Sequence, residues 1–169
     1  TDDSNISTAT ITVVPVNDAP VTQNQSVSTS EDTAVALTLS VVDVDNVQGM
    51  TRSIVSNPSN GSVVLSGSGN QTATYTPDVN WNGTDAFTWK ANDGTDDSNT
   101  STVTITVAAV DDIPVVDAQT LSTNEDTAVS VTLTDTDVDG DTIEFAIDTA
   151  PPNGTLNPVG NQHIMKIHR

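Results

Sequence analysis

The chain has 169 residues, and its 23 acidic side chains against 4 basic ones give a formal net charge of −19. A field of that sign repels nucleic acid and anionic membrane surfaces, so we expect no nucleic-acid partner and no membrane insertion. Cysteine is absent, which excludes disulfides and thiolate metal sites. No apolar run approaches the roughly 18 residues that a membrane span requires. The negative charge also attracts cations, so cationic partners are favoured.

A repeat with an offset of 94 residues organises the sequence. The string Val16-Asn17-Asp18-Ala19-Pro20 recurs as Val110-Asp111-Asp112-Ile113-Pro114. Three further motifs recur at the same offset: Asp2-Asp3-Ser4-Asn5 at Asp96-Asp97-Ser98-Asn99, Glu31-Asp32-Thr33-Ala34-Val35 at Glu125-Asp126-Thr127-Ala128-Val129, and Asp43-Val44-Asp45 at Asp137-Val138-Asp139. A period of this length predicts several small domains in tandem rather than one large domain.

The repeat also predicts the domain boundaries. We expect residues 1–15 to be the C-terminal strand of a preceding repeat, 16–109 to be a complete repeat, and 110–162 to be the N-terminal part of a following repeat. Residues 163–169 match nothing in the complete repeat and contain both histidines. A frayed or artefactual end is favoured over a metal site formed by His163 and His168.

Alternating apolar residues predict strands along the whole repeat, and no segment shows a 3.6-residue period. In chain order, the alternating positions are Val35 to Val41, Val63 and Leu65, Ala73 and Tyr75, Phe87 to Ala91, Val103 to Val107 and, in the next repeat, Ile143 to Ile147. Asn60-Gly61 and Asn82-Gly83 predict turns. About seven short strands in such a repeat predict an all-β chain of tandem Greek-key β-sandwich repeats of the immunoglobulin or cadherin type.

Several motifs in order resemble those of bacterial cadherin-like tandem repeats, which are immunoglobulin-like β-sandwiches of large secreted adhesins and surface proteins. They are Val-Asn-Asp-Ala-Pro at Val16, Ser30-Glu31-Asp32, Asp43-Val44-Asp45, Tyr75-Thr76-Pro77, Asn82-Gly83-Thr84-Asp85 and Ala91-Asn92-Asp93-Gly94. The resemblance covers nearly the whole chain. It implies an extracellular or cell-surface location and Ca2+ bound at the junctions between neighbouring repeats.

The resemblance implies two calcium junctions. The first would use Asn17, Asp18, Asp43, Asp45 and Asp93. The second would use Glu31 together with Asp111, Asp112, Asp137 and Asp139. The linker, reduced to Asn-Asp or Asp-Asp, departs from the longer acidic linker of cadherins, and no convincing counterpart of the cadherin D-R-E motif is present beyond Asp78 or Asp85.

The residue types support these junctions independently of the resemblance. Calcium takes six to eight oxygen ligands, which carboxylates on separate loops can supply. Asp43 and Asp45 are two residues apart in an extended segment, so their side chains can share an ion. Turn capping is the alternative role of these acids, and it is favoured for Asp96 and Asp97. An EF-hand loop starting at Asp137 is disfavoured because its Gly140 is misplaced.

The sequence favours a non-enzymatic, calcium-rigidified extender of a bacterial cell-surface or secreted adhesin. Residues 1–162 lack His and Cys, so they lack the usual nucleophile–base pairs. Neighbouring repeats of the same chain are the expected partners. Two alternatives stay open: an extracellular filament subunit that assembles head to tail with its own copies by strand donation, and an accessory module of a secreted polysaccharide-active enzyme. Trp81 is the one aromatic residue considered for sugar binding.

Overall fold

The computed structural model describes residues 7–45, 49–159 and 162–167, with side chains up to residue 156. The chain divides into two compact units, residues 1–109 and 110–169. The described residues contain no α-helix, and the only helical element among them is a 3-10 turn at Ser68–Asn70. Of the segment 1–15, expected to be a strand, residues 1–6 lie outside the described part and residues 7–15 form no strand.

The first unit contains nine strands in its described part. They are β1 (Val21–Thr22), β2 (Gln25–Ser30), β3 (Val35–Thr38), β4 (Val41–Val42), β5 (Thr51–Ser56), β6 (Gly61–Ser66), β7 (Thr72–Pro77), β8 (Gly83–Asn92) and β9 (Ser101–Ala108). These bounds contain the alternating positions of the sequence, except that Leu39 lies just after β3.

Two sheets form the sandwich of the first unit. One has the order β2-β9-β8-β5 and the other the order β3-β7-β6, while β1 and β4 pair separately. Strand β2 runs parallel to β9, with Gln25 opposite Val103, and the remaining ladders are antiparallel. The predicted all-β sandwich is confirmed.

The core lies between the two sheets and contains three aromatic rings. Tyr75 extends from the three-stranded sheet, Phe87 and Trp89 extend from the four-stranded sheet, and all three are fully buried. Alternation along β8 and β9 places a second set of buried side chains beside them: Ala91, Val103, Ile105 and Val107. Each large apolar side chain removed from water contributes about 1.5–3 kcal/mol, so this cluster is the main source of cohesion in a unit without disulfides.

Both Asn-Gly pairs lie in connections that pass from one sheet to the other, not in two-residue hairpins. In each pair the asparagine ends the connection and the glycine begins the next strand, β6 at Gly61 and β8 at Gly83. A Cβ on Gly61 would lie 2.5 Å from the carbonyl oxygen of Thr76 and 2.8 Å from the Tyr75 ring. Glycine is therefore required at position 61 by the close approach of β7.

A buried carboxylate fixes the connection before β6. The Asp85 side chain is 5% exposed and accepts hydrogen bonds from the amides of Ser59 and Asn60, both at 2.9 Å, and from the Tyr75 hydroxyl at 3.1 Å. Burial alone would raise the pKa of Asp85, but these bonds, with one from the amide of Ala86, outweigh it and hold the pKa below its ordinary value.

The second unit repeats part of this architecture. Its strands are β10 (Val115–Val116), β11 (Ala128–Thr132), β12 (Asp135–Thr136), β13 (Gly154–Val159) and β14 (Gln162–Ile167). β10 pairs with β12 as β1 pairs with β4, and the sheet β11-β14-β13 corresponds to β3-β7-β6. Residues 163–167 of the expected tail therefore pair in a sheet, whereas 168 and 169 lie outside the described residues.

No residue of the second unit whose burial is described, 110–156, is buried. The expected strand over Ile143 to Ile147 does not form, although Ile143 and Phe145 are half-buried. In the first unit the equivalent β5 pairs only with β8, and the described part of the second unit has no counterpart of β8. A strand without a hydrogen-bonding neighbour leaves its backbone groups unpaired, which explains the difference.

Asp85→Asn should destabilise the first unit by about 1.5–3 kcal/mol at neutral pH, because it removes the charge from these buried hydrogen bonds. Since the folded pKa is lowered, the contribution of Asp85 is complete above the ordinary aspartate pKa of about 3.9 and is lost as the pH falls through the folded value. The difference between variant and wild type should therefore shrink below about pH 4. Urea unfolding followed by tryptophan fluorescence measures it, since both tryptophans lie in the first unit.

The exposed Asp78→Asn variant is the control, because it makes the same charge change on the surface. Equal unfolding midpoints for Asp85→Asn and Asp78→Asn at pH 7 would contradict the role assigned to Asp85.

Candidate functional site

The linker into the first unit contacts the D-x-D loop that follows β4. The backbone amide of Asp18 donates to Oδ2 of Asp45 at 2.7 Å, and the amide of Asp45 donates to Oδ1 of Asp43 at 2.8 Å. Val44, between the two acids, is 85% exposed. The Asp45 carboxylate therefore contacts the linker backbone, the Asp43 carboxylate caps the amide of Asp45 within the loop, and the Val44 side chain between them faces solvent.

On its other side the linker contacts the loop between β8 and β9. The Nδ2 group of Asn17 donates to Oδ2 of Asp93 and to Oδ2 of Asp96, both at 3.0 Å. The second oxygen of Asp93 accepts from the amides of Thr95 and Asp96 at 2.7 Å. Asp96, which the sequence favoured as a turn residue, therefore lies beside the predicted ligands.

A polar network fixes the linker against the sandwich. Asn99 accepts from the amide of Thr22 at 2.9 Å and donates to its carbonyl at 3.0 Å. The Thr22 hydroxyl also bonds to the Ser101 hydroxyl at 2.8 Å, and both side chains are buried. Five of the predicted site residues are therefore held at one end of the first unit: Asn17, Asp18, Asp43, Asp45 and Asp93.

The second unit reproduces the contact between linker and D-x-D loop. The amide of Asp112 donates to Oδ2 of Asp139 at 2.7 Å, the same atoms and distance as at Asp18 and Asp45. The Asp137 carboxylate accepts from the amide of Asp141 at 3.0 Å. Asp141 is a further acid of this cluster that the motif comparison missed, because the complete repeat has no acid in the corresponding part of its loop.

The two clusters differ in electrostatics. The pKa of Asp93 is lowered, first by hydrogen bonds from the amides of Asp96 and Thr95 and then by the Asn17 amide group. The pKa of Asp141 is raised, first by a hydrogen bond shared with the Asp111 carboxyl and then by repulsion from Asp137 and Asp111. The linker of the second unit has the acid Asp111 where that of the first unit has the amide donor Asn17, so negative charges lie close together in the second cluster.

Glu31, the remaining predicted ligand, lies at the end of the first unit opposite its linker. It follows β2, its side chain is 4% exposed, and its amide donates to the carbonyl of Ala108 at 2.9 Å. Among the described residues, no group of three or more acidic or histidine side chains is close enough together to hold a metal ion as it stands. In the first unit the acids lie in two pairs, Asp43 with Asp45 and Asp93 with Asp96. The linker contacts the first pair through the amide of Asp18 and the second through the side chain of Asn17.

Two other residues considered from the sequence have structural roles. Asp85 is enclosed in the hydrogen-bond network before β6 and so does not replace the missing D-R-E acid at the linker. Trp81 packs against the hydrophobic core. Gly83 lies so close to its ring that a Cβ at position 83 would be 3.1 Å from a ring carbon of Trp81. Trp81 is thus a half-buried residue of the loop before β8 that packs against the edge of the core.

Comparison with known proteins identifies the family. The family model described as bacterial Ig domain matches residues 17–106 and again residues 111–165. The chain belongs to the bacterial Ig domain family. The identification of the chain as immunoglobulin-like tandem repeats is therefore confirmed, and the two matches fall on the two copies of the repeat. No curated protein sequence matches the chain.

The solved structures that are similar to this chain include an enzyme and a cadherin fragment. An endo-fucoidan hydrolase of glycoside hydrolase family 107 has a TM-score of 0.47 at 18% identity, with 89% of this chain covered and 24% of that one. Protocadherin gamma B2 extracellular cadherin domains 3–6 have a TM-score of 0.43 at 14% identity, with coverage of 89% and 39%. The chain thus spans well under half of the length of either structure.

Bacterial Ig domains are typically non-catalytic and typically lie outside the cell or on its surface. Within the described residues, no helix has the length and hydropathy to cross a membrane.

Titration of individual carboxyls by NMR in calcium-free buffer should separate the two clusters. Asp93 should titrate below the ordinary value of about 3.9 and Asp141 above it. Asn17→Ala should raise the pKa of Asp93, since it removes a donor to the charged form, and Asp111→Asn should lower that of Asp141, since it removes a negative neighbour. Ordinary values for both carboxyls, unchanged in the variants, would show that these contacts do not persist in solution.

Proposed function

We propose that these bacterial Ig domains bind Ca2+ where a linker meets the D-x-D loop of the repeat that it enters. The observation that carries the proposal is the repeated 2.7 Å contact, Asp18 to Asp45 and Asp112 to Asp139, in two copies 94 residues apart. It holds several carboxylates near a backbone segment that has no cationic side chain of its own. Hard oxygen ligands from separate loops are the donor set that calcium prefers.

Ion binding would require a small rearrangement of the first cluster. The Asn17 amide now donates to Asp93 and Asp96, so it must rotate to present Oδ1 to a cation. The carboxylates of Asp18, Asp43 and Asp45 would then complete an oxygen set with Asp93 and Asp96. Calcium supplies the attraction that draws these pairs together, because it neutralises acids that otherwise repel one another.

A second site of the same kind would form at the next junction. Its ligands would be Asp111, Asp112, Asp137 and Asp139 with Glu31 from the preceding repeat. Asp141 is an additional ligand candidate, since it shares a hydrogen bond with Asp111. An ion bound by two successive repeats would restrict their relative motion.

The biological role best matched to such sites is a calcium-rigidified extender of a bacterial cell-surface or secreted adhesin. Repeats of a solenoid or tandem array contact only their neighbours, so length is added without a new fold. The family and its usual location outside the cell support this role. An accessory module of a secreted polysaccharide-active enzyme would use the same repeats, and flanking domains distinguish the two.

Homotypic head-to-tail assembly is a second candidate, supported by the segment 7–14. Ile11-Thr12-Val13 repeats Ile105-Thr106-Val107 of β9, yet Ile11 and Val13 are each 85% exposed and form no strand. An exposed segment of this kind can add to a sheet of another copy. The second unit, with no buried residue over 110–156, offers such a sheet.

Calcium should raise the thermal midpoint of the first unit, by an amount equivalent to about 2.7 kcal/mol when the ion is a hundredfold above its Kd. Extracellular calcium modules have a Kd of about 0.1–1 mM, so about 10 mM calcium against EGTA spans the required range. The double variant Asp43→Asn, Asp45→Asn should abolish the shift while keeping the fold. Tryptophan fluorescence follows the first unit alone.

The matched control is the double variant Asp78→Asn, Asp126→Asn, which also removes two charges but leaves linkers and D-x-D loops intact. It should keep the full calcium shift. Identical midpoints of the wild type in calcium and in EGTA would refute calcium binding at the first junction.

Calcium should also restrict the motion of the two units about the second junction. Small-angle scattering of the wild type should show a narrower distribution of interatomic distances in calcium than in EGTA, and Asp137→Asn with Asp139→Asn should remove the difference. Magnesium should substitute poorly, since it retains its waters and demands octahedral geometry. Superimposable scattering curves in calcium and EGTA would rule out rigidification.

A further inference from the structure

The first unit contains a polar cavity at the end of the sandwich formed by the start of β5 and the 3-10 turn. Its volume is about 450 Å³, and the polar residues that line it are Thr51, Arg52, Ser68 and Gln71. Gly69 makes this enclosure possible, because it has a φ of +60° and a Cβ there would lie 1.9 Å from the carbonyl oxygen of Met50. Only glycine can bring the turn so close to β5.

Arg52 is held in this cavity by carbonyl groups on one side of its guanidinium. Nε donates to the Leu39 carbonyl at 3.3 Å, and Nη1 donates to the carbonyls of Met50 at 3.2 Å and Gly69 at 3.4 Å. A guanidinium has five N–H donors, and these contacts use those of Nε and Nη1. The two donors of Nη2 have no acceptor among the described residues.

Among the described residues, no carboxylate forms an ion pair with Arg52. Although the chain has 23 acidic residues, the ion pair found among the described residues is Lys90 with Asp97. Burial lowers the pKa of Arg52 from its ordinary value, and no carboxylate in the described part of the chain offsets that loss of hydration. A partly buried cation with donors to spare is stabilised when an anion enters, since charge-assisted hydrogen bonds are about twice as strong as neutral ones.

Arg52 has no counterpart in the next copy of the repeat. Residues 110–162, which reproduce the linker, the D-x-D loop and the paired strands, contain neither Lys nor Arg. The arginine and its cavity are therefore a feature of the complete repeat and are separate from the candidate calcium sites.

We propose that this cavity binds one oxyanion group, a carboxylate or a sulfate, of a small ligand such as an acidic monosaccharide. Nη2 of Arg52 would donate to the oxyanion, and the hydroxyl groups of Thr51 and Ser68 and the amide of Gln71 would bond to its remaining oxygens or to sugar hydroxyls. The volume lies within the range of small-molecule sites. The net charge of −19 repels a long polyanion more strongly than a ligand with one negative charge, so it favours the small ligand.

Titration of the 15N-labelled chain with sodium glucuronate, sodium sulfate and glucose tests the proposal. EDTA is present so that no cation bridges ligand and acids, and sodium chloride holds the ionic strength constant. Saturable shifts of the amides of residues 49–52 and 68–71 are expected with glucuronate, sulfate or both, and the active anion identifies the oxyanion. Glucose should produce none.

Arg52→Gln should weaken binding at least tenfold, and Lys90→Gln, which removes an exposed cation, should leave it unchanged. Ser68→Ala lies on the exposed turn and should weaken binding several-fold without affecting the core, which keeps the test decisive if Arg52→Gln does not fold. The proposal is overturned if neither anion gives saturable shifts or if a folded Arg52→Gln binds like the wild type. Where Arg52→Gln does not fold, wild-type binding by Ser68→Ala overturns it.

Discussion

The repeat depends on the packing of its two sheets across Tyr75, Phe87 and Trp89. Aromatic residues make up only 3% of the chain. These three rings are the largest side chains of the core, and they fill space between the sheets that the smaller β-branched side chains cannot fill. The second unit demonstrates the effect of a missing sheet. Its described strands supply the counterparts of β3-β7-β6 and of the β1-β4 pair but not of the four-stranded sheet. No residue over 110–156 is buried, and residues 143–147 form no strand despite their alternation. Strand pairing and burial are thus coupled, and neither forms from sequence pattern alone.

The position of the acidic loops depends on the same packing. The ladder between β1 and β4 and the bonds of Asn99 to Thr22 fix the linker at one end of the sandwich. The D-x-D loop begins immediately after β4 in the first unit and after β12 in the second, and in each unit its second carboxylate accepts a hydrogen bond from the linker backbone. The acids cannot enter the core without partners, and they therefore collect in exposed loops at the ends of the domain.

The period-2 alternation was sufficient to predict the all-β sandwich, because each strand has one face toward the core. The proximity of Asp18 and Asp45 could also be predicted from the sequence, since the linker and the D-x-D motif recur together at one offset. The position of Asp96 could not, because it depends on the conformation of the loop at 93–97, in which Asp93 caps two amides. The sequence could not show that Asp85, considered only as a stand-in for the D-R-E motif, is buried, since its environment includes the Tyr75 hydroxyl from the other sheet. Arg52 gave no sequence signal, because its cavity arises from the approach of Gly69 to Met50.

The distribution of charge links the two sites. With 4 basic residues against 23 acidic ones, the chain cannot neutralise its own carboxylates. The cations that the structure describes are used elsewhere: Lys90 pairs with Asp97 in the loop after β8, and Arg52 donates to carbonyls beside β5. The acids of the D-x-D loop and of the loop after β8 accept hydrogen bonds from backbone amides instead. The partial charges of these amides stabilise a carboxylate such as Asp93 but do not remove its repulsion from neighbouring acids. The calcium ion that we propose would reduce this repulsion, and its binding energy would add to the stability of a fold that has neither disulfides nor a large aromatic core.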